Sequence, residues 1–144
     1  DDASECWQAI YLKATPLPVG DFDIRQLDLS YAPFVAEHYN GPDCLEYMQW
    51  QINDGAMLGA FVDGELAGFI GRHDQGALGV LEVLPEYRRR GIATALESAA
   101  INRELSEGHV PYCHLYTDNL ASRALQQSLG MSFADKNVWW LYRK

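Results

Sequence analysis

Apolar and polar positions along this chain lay out an ordered series of strands and helices. Trp7-Gln8-Ala9-Ile10-Tyr11-Leu12-Lys13-Ala14 has strand character, and Thr15-Pro16-Leu17-Pro18-Val19-Gly20 breaks it. Phe22 to Leu27 alternates apolar and polar, as a half-buried strand does. Asp28-Leu29-Ser30 then offers caps for a helix over Tyr31–Tyr39, with Pro33 tolerated in its first turn. Asn40-Gly41-Pro42 stops that helix. Asp43 can cap a second, which carries Leu45, Met48, Trp50 and Ile52 and ends at Asn53-Asp54-Gly55. Met57–Val62 and Glu65–Gly71 flank Asp63-Gly64, a two-residue hairpin signal. Arg72–Gly76 is a turn, and Ala77–Leu84 is a long strand. Ile92, Leu96, Ala99, Ala100 and Leu105 recur at helical spacing up to Glu107-Gly108. A strand over Tyr112–Thr117, a helix over Ala121–Leu129 closed by Gly130, and a last strand over Val138–Tyr142 complete the pattern. This predicts one mixed α/β domain over residues 21–144 with a largely antiparallel start. Residues 1–20 read as an N-terminal arm or added strand, or as the end of a missing upstream segment.

Composition narrows the class. At 144 residues, 48% hydrophobic and 22% charged, the chain has enough apolar content for one packed core and does not read as disordered. No apolar run approaches the roughly 20 residues of a membrane span, so no membrane partner is expected. No leader is evident, although the chain starts at Asp1 rather than Met. The net charge of −9 argues against a nucleic-acid binder, and the basic residues cluster only at Arg88-Arg89-Arg90. An acidic surface can steer a cationic acceptor such as an amine. Cys6, Cys44 and Cys113 are odd in number and widely spaced. That predicts reduced thiols in a cytoplasmic protein and no metal site.

The richest stretch is Leu84-Pro85-Glu86-Tyr87-Arg88-Arg89-Arg90-Gly91-Ile92-Ala93. A strand runs in and a helix runs out. The free N–H groups and positive dipole end of a helix N-terminus suit a phosphate. The bland alternative is a surface helix start with solvated arginines.

Two segments together resemble the GNAT superfamily of acyl-CoA N-acyltransferases. Arg88-x-x-Gly91-x-Ala93 is similar to the family's Gln/Arg-x-x-Gly-x-Gly/Ala, and Val83-Leu84-Pro85-Glu86-Tyr87 precedes it in the usual form. The second segment starts at Asn119, continues through Ser122 and Leu125, and closes at Leu129-Gly130. The element order covers Phe22 to Lys144, and the texture looks most like the glycine N-acyltransferase-like branch. The resemblance implies a twisted, mixed, mostly antiparallel sheet flanked by helices, with a V-shaped splay between central strands. It implies an acyl-CoA co-substrate, most simply acetyl-CoA. Arg88, Arg89, Arg90, Gly91, Ile92, Ala93 and Thr94 would form the pyrophosphate turn. Leu81 and Val83 would bond the pantetheine, one of their N–H groups polarising the thioester carbonyl. Asn119, Ser122 and Gln126 would complete the CoA site.

The catalytic side chains are less well marked. Glu82 lies in an apolar strand, where a carboxylate needs a partner or a raised pKa. It reads either as the general base or as a structural or solvent-facing residue. Many relatives carry a tyrosine general acid seven residues after the Asn119 position, where this chain has Gln126. The thiolate's proton would then come from water, Tyr116 or Tyr142. Met131, where phenylalanine is common, is a packing swap. His114 reads chiefly as structural. His38, Tyr39 and Tyr47 line an acceptor pocket or simply pack. One ring of Trp139-Trp140 is expected in the core and the other toward a pocket, partner or solvent. The expected function is transfer of an acetyl or other short acyl group to a small-molecule or peptide primary amine. The alternative is a non-catalytic acyl-CoA-binding or sensor module of a longer protein. Pairing of the N-terminal arm or last strand with a second copy would make a homodimer.

Overall fold

The computed structural model describes residues 2–39 and 44–142, without the side chains of 2 and 140–142. The expected stop at Asn40-Gly41-Pro42 and cap at Asp43 lie outside these residues. So do Lys144 and the side chains of Trp140 and Tyr142.

An eight-stranded mixed sheet is covered by helices on both faces. The strands are β1 (Asp2–Ile10), β2 (Asp23–Gln26), β3 (Leu58–Val62), β4 (Glu65–Arg72), β5 (Leu78–Val83), β6 (Tyr112–Tyr116), β7 (Ser132–Phe133) and β8 (Val138–Tyr142). The helices are α1 (Ala32–Tyr39), α2 (Leu45–Asn53), α3 (Ile92–Ser106) and α4 (Leu120–Ser128). The strand order is β2-β3-β4-β5-β6-β1-β7, and β8 also pairs with β1. Every pairing is antiparallel except β5 with β6.

Local chemistry explains the centre of the sheet. Asp63 and Gly64 both take positive φ (51° and 83°), as the tight hairpin between β3 and β4 requires. From Leu66 to Gly71, β4 is buried on both faces. On one face Ile92, Leu96, Ala100 and Ile101 of α3 pack with Ile70, Leu78 and Leu115. On the other, Val35 and Ala36 of α1 and Met48 and Ile52 of α2 pack with Phe69, Phe61 and Val80.

The N-terminal strand departs from its expected place. It runs Asp2–Ile10 rather than Trp7–Ala14, and it is interior. Cys6–Ile10 pair with β6 on one side, while β8 and β7 pair on the other. Asp2, Ser4 and Glu5 have weak strand propensity, but sheet neighbours outweigh it. Cys6, Ala9 and Ile10 thus have strand neighbours on both flanks, whereas Asp2–Ser4 pair with β8 alone. The two-residue β7 was not expected. It and β8 share the outer flank of β1.

Candidate functional site

The site begins where β5 and β6 part. The parallel pair is in register only at Leu78 and Cys113, and past this point the strands diverge into a cleft. A bulge in β5 accompanies the parting. Gly71 faces Gly79 and Phe69 faces Glu82, so Val80 and Leu81 together oppose Ile70. Val80 adopts φ 58°, a left-handed conformation that a β-branched residue takes only when its surroundings force it. The Leu84 N–H donates to the Ala67 carbonyl of β4 at 2.9 Å. By strand alternation, the N–H groups of Leu81 and Val83 face the opposite way, away from β4, and Leu81 lines the cleft.

Beyond β5 the chain makes a short 3-10 turn, Pro85–Tyr87, and enters α3 through Gly91. Gly91 sits at φ 83° and no side chain caps the helix start. The first intrahelical bond runs from the Ala95 N–H to the Gly91 carbonyl, so the first-turn N–H groups through Thr94 have no helical acceptor. A Cβ at Gly91 would lie 3.8 Å from Phe22, an ordinary contact. Glycine is therefore required here by backbone conformation, not by crowding. Ile92 is buried and holds the turn to the core, while Gly91 and Thr94 are exposed. Two of the three arginines are engaged elsewhere. Arg88 donates to the Val83 carbonyl (3.0 Å) and pairs with Glu82 (3.3 Å). Arg90 lies over the Tyr87 ring at 5.6 Å, and Arg89 takes φ 65° with an exposed side chain.

The far wall of the cleft is β6 and α4. Asn119 caps α4, its side chain accepting from the Ser122 N–H at 3.1 Å, and both residues line the cleft. Gln126 lines it too, 2% exposed, and donates through Nε2 to Glu97 Oε1 at 2.8 Å. Glu97 comes from α3, and its carboxyl is pushed up to about 7 by burial, with the Gln126 bond opposing. Burial and the nearby Glu97 carboxyl raise the Cys113 thiol.

The cleft, of about 190 Å³, shares Tyr39, Gly79, Val80, His114 and Tyr116 with a cavity of about 220 Å³ that adds His73 and Cys6. The passage therefore runs through the parted sheet. The Tyr47 hydroxyl lies 2.7 Å from Nδ1 of His73 and holds its ring. A Cβ at Gly79 would collide with Nε2 of that ring. Burial lowers both His73 and His114 from the ordinary histidine range, and His73 adds to the lowering of His114. Both shifts favour the neutral imidazole.

The structure brings together Leu81, Asn119, Ser122 and Gln126 around the cleft, while Val83 lies beyond its lining at the end of β5, toward the Gly91 turn. Glu82 is placed differently. Between inward-packing Leu81 and Val83, it faces the α1 and α2 side, its side chain 32% exposed and paired with Arg88, outside the lining of either cavity. Tyr116 lines both cavities at 47% exposure. Trp139 is exposed, at 60%. His38 is bonded to the Phe34 carbonyl and stacked on the Phe34 ring within its own helix. Glu97 and His73 were not singled out in the sequence. A lone glutamate on the apolar stripe of α3, between Leu96 and Ala100, was the available signal for the first. His73 sits in a stretch that reads only as a turn. Elsewhere, Glu104, Glu107 and His109 bring ligand atoms within 4.8 Å of one another, but Arg72 already bonds both carboxylates.

Comparison with known proteins agrees with this geometry. The Acetyltransferase (GNAT) family model matches residues 22–131. No curated protein matches the chain. A Drosophila protein of known X-ray structure is 28% identical with a TM-score of 0.79, over 96% of this chain and 50% of its own. A candidate GNAT-family acetyltransferase from Novosphingobium aromaticivorans is 25% identical with a TM-score of 0.72, over 96% of this chain and 63% of its own. The chain thus spans between half and two thirds of these two relatives. The fold is also that of AAC(6')-Iy, solved with the bisubstrate analogue CoA-S-monomethyl-acetylneamine, at 23% identity and a TM-score of 0.67 over 87% of this chain and 99% of that one. A cleft between parted strands, an uncapped glycine turn at its end and a family match over that same span lead to one conclusion: the chain belongs to the GNAT acetyltransferase family.

Proposed function

We propose that this chain is an acyl-CoA-dependent N-acyltransferase, moving an acetyl or other short acyl group to a primary amine by direct attack. The observation that carries the reading is the course of one strand: β5 runs from a cavity lined by His73 and His114, through the bulge in the parted sheet, toward the uncapped Gly91 turn.

Each segment of the path has a chemical use. The N–H groups from Gly91 to Thr94 suit a diphosphate at a helix start. The pantetheine lies beside β5 as an added strand, bonding Leu81 and Val83, with Asn119 and Ser122 on the opposite wall. An N–H at the bulge donates to the thioester carbonyl and stabilises the oxyanion that forms on attack. The amine enters from the other face. His73 and His114 are placed to take its proton, directly or through water. Placement favours them over Glu82, which is held by Arg88. Of the two tyrosines expected as donors to the thiolate, Tyr116 lines the cleft and the Tyr142 side chain lies outside the described residues. Sequence texture supports the glycine N-acyltransferase-like branch, and the three free thiols suit a cytoplasmic setting.

The test is thiol release from acetyl-CoA with an amino acid, a polyamine, an aminoglycoside and a lysine peptide as acceptors. Amine-dependent release, with a matching mass gain on the acceptor, is expected. Gln126 at the position of the usual phenol favours a second reading, a non-catalytic acyl-CoA-binding module. Tight acetyl-CoA binding without turnover on any amine would select it.

A further inference from the structure

We propose that the Glu97 carboxyl, held against Gln126 in the wall of the β5–β6 cleft, supplies the proton that the departing CoA thiolate takes up. The proposal rests on the acyl-transfer reading above and names a catalytic residue for it.

Three observations converge on Glu97. It is 2% exposed, and its Oε2 has no hydrogen-bond partner among the described residues. A buried, unpaired polar oxygen is costly unless a partner arrives. Second, Gln126 Nε2 occupies Oε1, which leaves Oε2 as the oxygen for a proton, and Gln126 Oε1 is itself unpartnered. Third, Glu97, Gln126 and the bulge residues Val80 and Leu81 line one cavity, so a thioester carbonyl held at the bulge shares that space with the carboxyl.

The surroundings favour the acid form. From β6, the Cys113 thiol is kept protonated by burial, and His114 and Tyr116 line the same cleft. From α1, Tyr39 lines it as well, while α4 contributes the uncharged Gln126. Burial raises the carboxyl to about 7. An acid of that strength gives its proton downhill to an alkyl thiolate, whose conjugate acid lies near 8.5.

The step balances as follows. The C–S bond breaks with its electron pair on sulfur. The O–H bond at Glu97 Oε2 breaks and an S–H bond forms, leaving a carboxylate that the Gln126 amide stabilises. The amine's own proton has gone to the histidine side, and the carboxylate recovers a proton from solvent after CoA leaves.

Glu97→Gln tests this with little change in shape. Single-turnover transfer from acetyl-CoA is expected to fall about 100-fold, with acetyl-CoA affinity within about twofold, the signature of an interaction made only in the transition state. The decline in rate above about pH 7, expected in the natural chain, should vanish in the variant. Glu97→Asp should keep part of the rate. Acetyl-seleno-CoA, whose leaving selenolate is a weaker base, should restore much of the loss. Natural rate and an unchanged alkaline limb in Glu97→Gln would overturn the proposal. If that variant does not fold, the natural chain still decides. The same alkaline limb with the thio and seleno donors would overturn it, and a limb confined to the thio donor would support it. Absence of thiol release by the natural chain with every amine would instead remove the acyl-transfer reading, and Glu97's role with it.

Discussion

The turn at Gly91 and the buried pair at Glu97 lie on the same helix, yet they are built on opposite plans. The turn is exposed, uses backbone N–H groups, and depends on one residue's φ. The pair is buried, uses side chains from α3 and α4, and depends on two residues meeting across the cleft wall. An exposed backbone site loses function through conformation, whereas a buried side-chain site loses it through protonation. Mutation and pH should therefore separate them.

Gly91→Glu gives the largest expected effect. It places a non-glycine residue at φ 83° and a negative charge where a phosphate would sit. Together these cost about 3 kcal/mol, or roughly a hundredfold in CoA affinity by calorimetry. Unaltered affinity would break the backbone half of the comparison. On the acceptor side, His73→Ala or His114→Ala should lower kcat by about a hundredfold with CoA binding retained. Because burial lowers both imidazoles, the acid limb of kcat/KM should fall below the ordinary histidine value of about 6.5. Natural rates in both variants would move the base elsewhere.

Glu97 also predicts how stability depends on pH. Its carboxyl goes from 4.5 unfolded to about 7 folded, so the folded state holds the extra proton. Its contribution is complete below about pH 4.5 and is lost as pH rises through 7, a difference on the order of 3 kcal/mol. Denaturant unfolding at pH 5 and 7.5 should show this decline in the natural chain and not in Glu97→Gln. An equal decline in both would separate the carboxyl from the effect. Smaller still, replacing Arg88, Arg89 and Arg90 together with alanine should weaken CoA binding only about fivefold, since exposed charges contribute little. A loss as large as that of Gly91→Glu would mean that charge, not backbone, holds the ligand. The smallest change is expected for Glu82→Gln, with kcat within about twofold. A large drop there would return the base role to Glu82.

What could be read in the sequence follows the same division. The Asp63-Gly64 hairpin, the α3 stripe and the strand–turn–helix at Arg88–Ala93 are local patterns, and each appears where its residues predict it. The Glu97–Gln126 contact joins positions far apart in sequence, so neither periodicity nor spacing announces it. His73 draws its character from burial against Tyr47 and Gly79, which a turn-like stretch does not disclose. Val80 looks like an ordinary strand residue, and its positive φ arises from the pairing of its neighbours. The N-terminal strand was misplaced because its partners, not its own residues, decide its register.

That strand carries a consequence for how the molecule is made. Cys6 pairs with Tyr116 on one side and with Val138 on the other. The residues of β1 must therefore wait for those of β8, far later in the chain, before their backbone groups find partners. Closing so large a loop is entropically slow, and such long-range pairings lower folding rates. Until then β6 and β8 present raw edges that invite pairing between nascent chains. The centre of the sheet, from β2 to β5, closes through neighbouring hairpins and can form first. Assembly of this sheet would thus end with β1 sliding into a slot between two strands already in place.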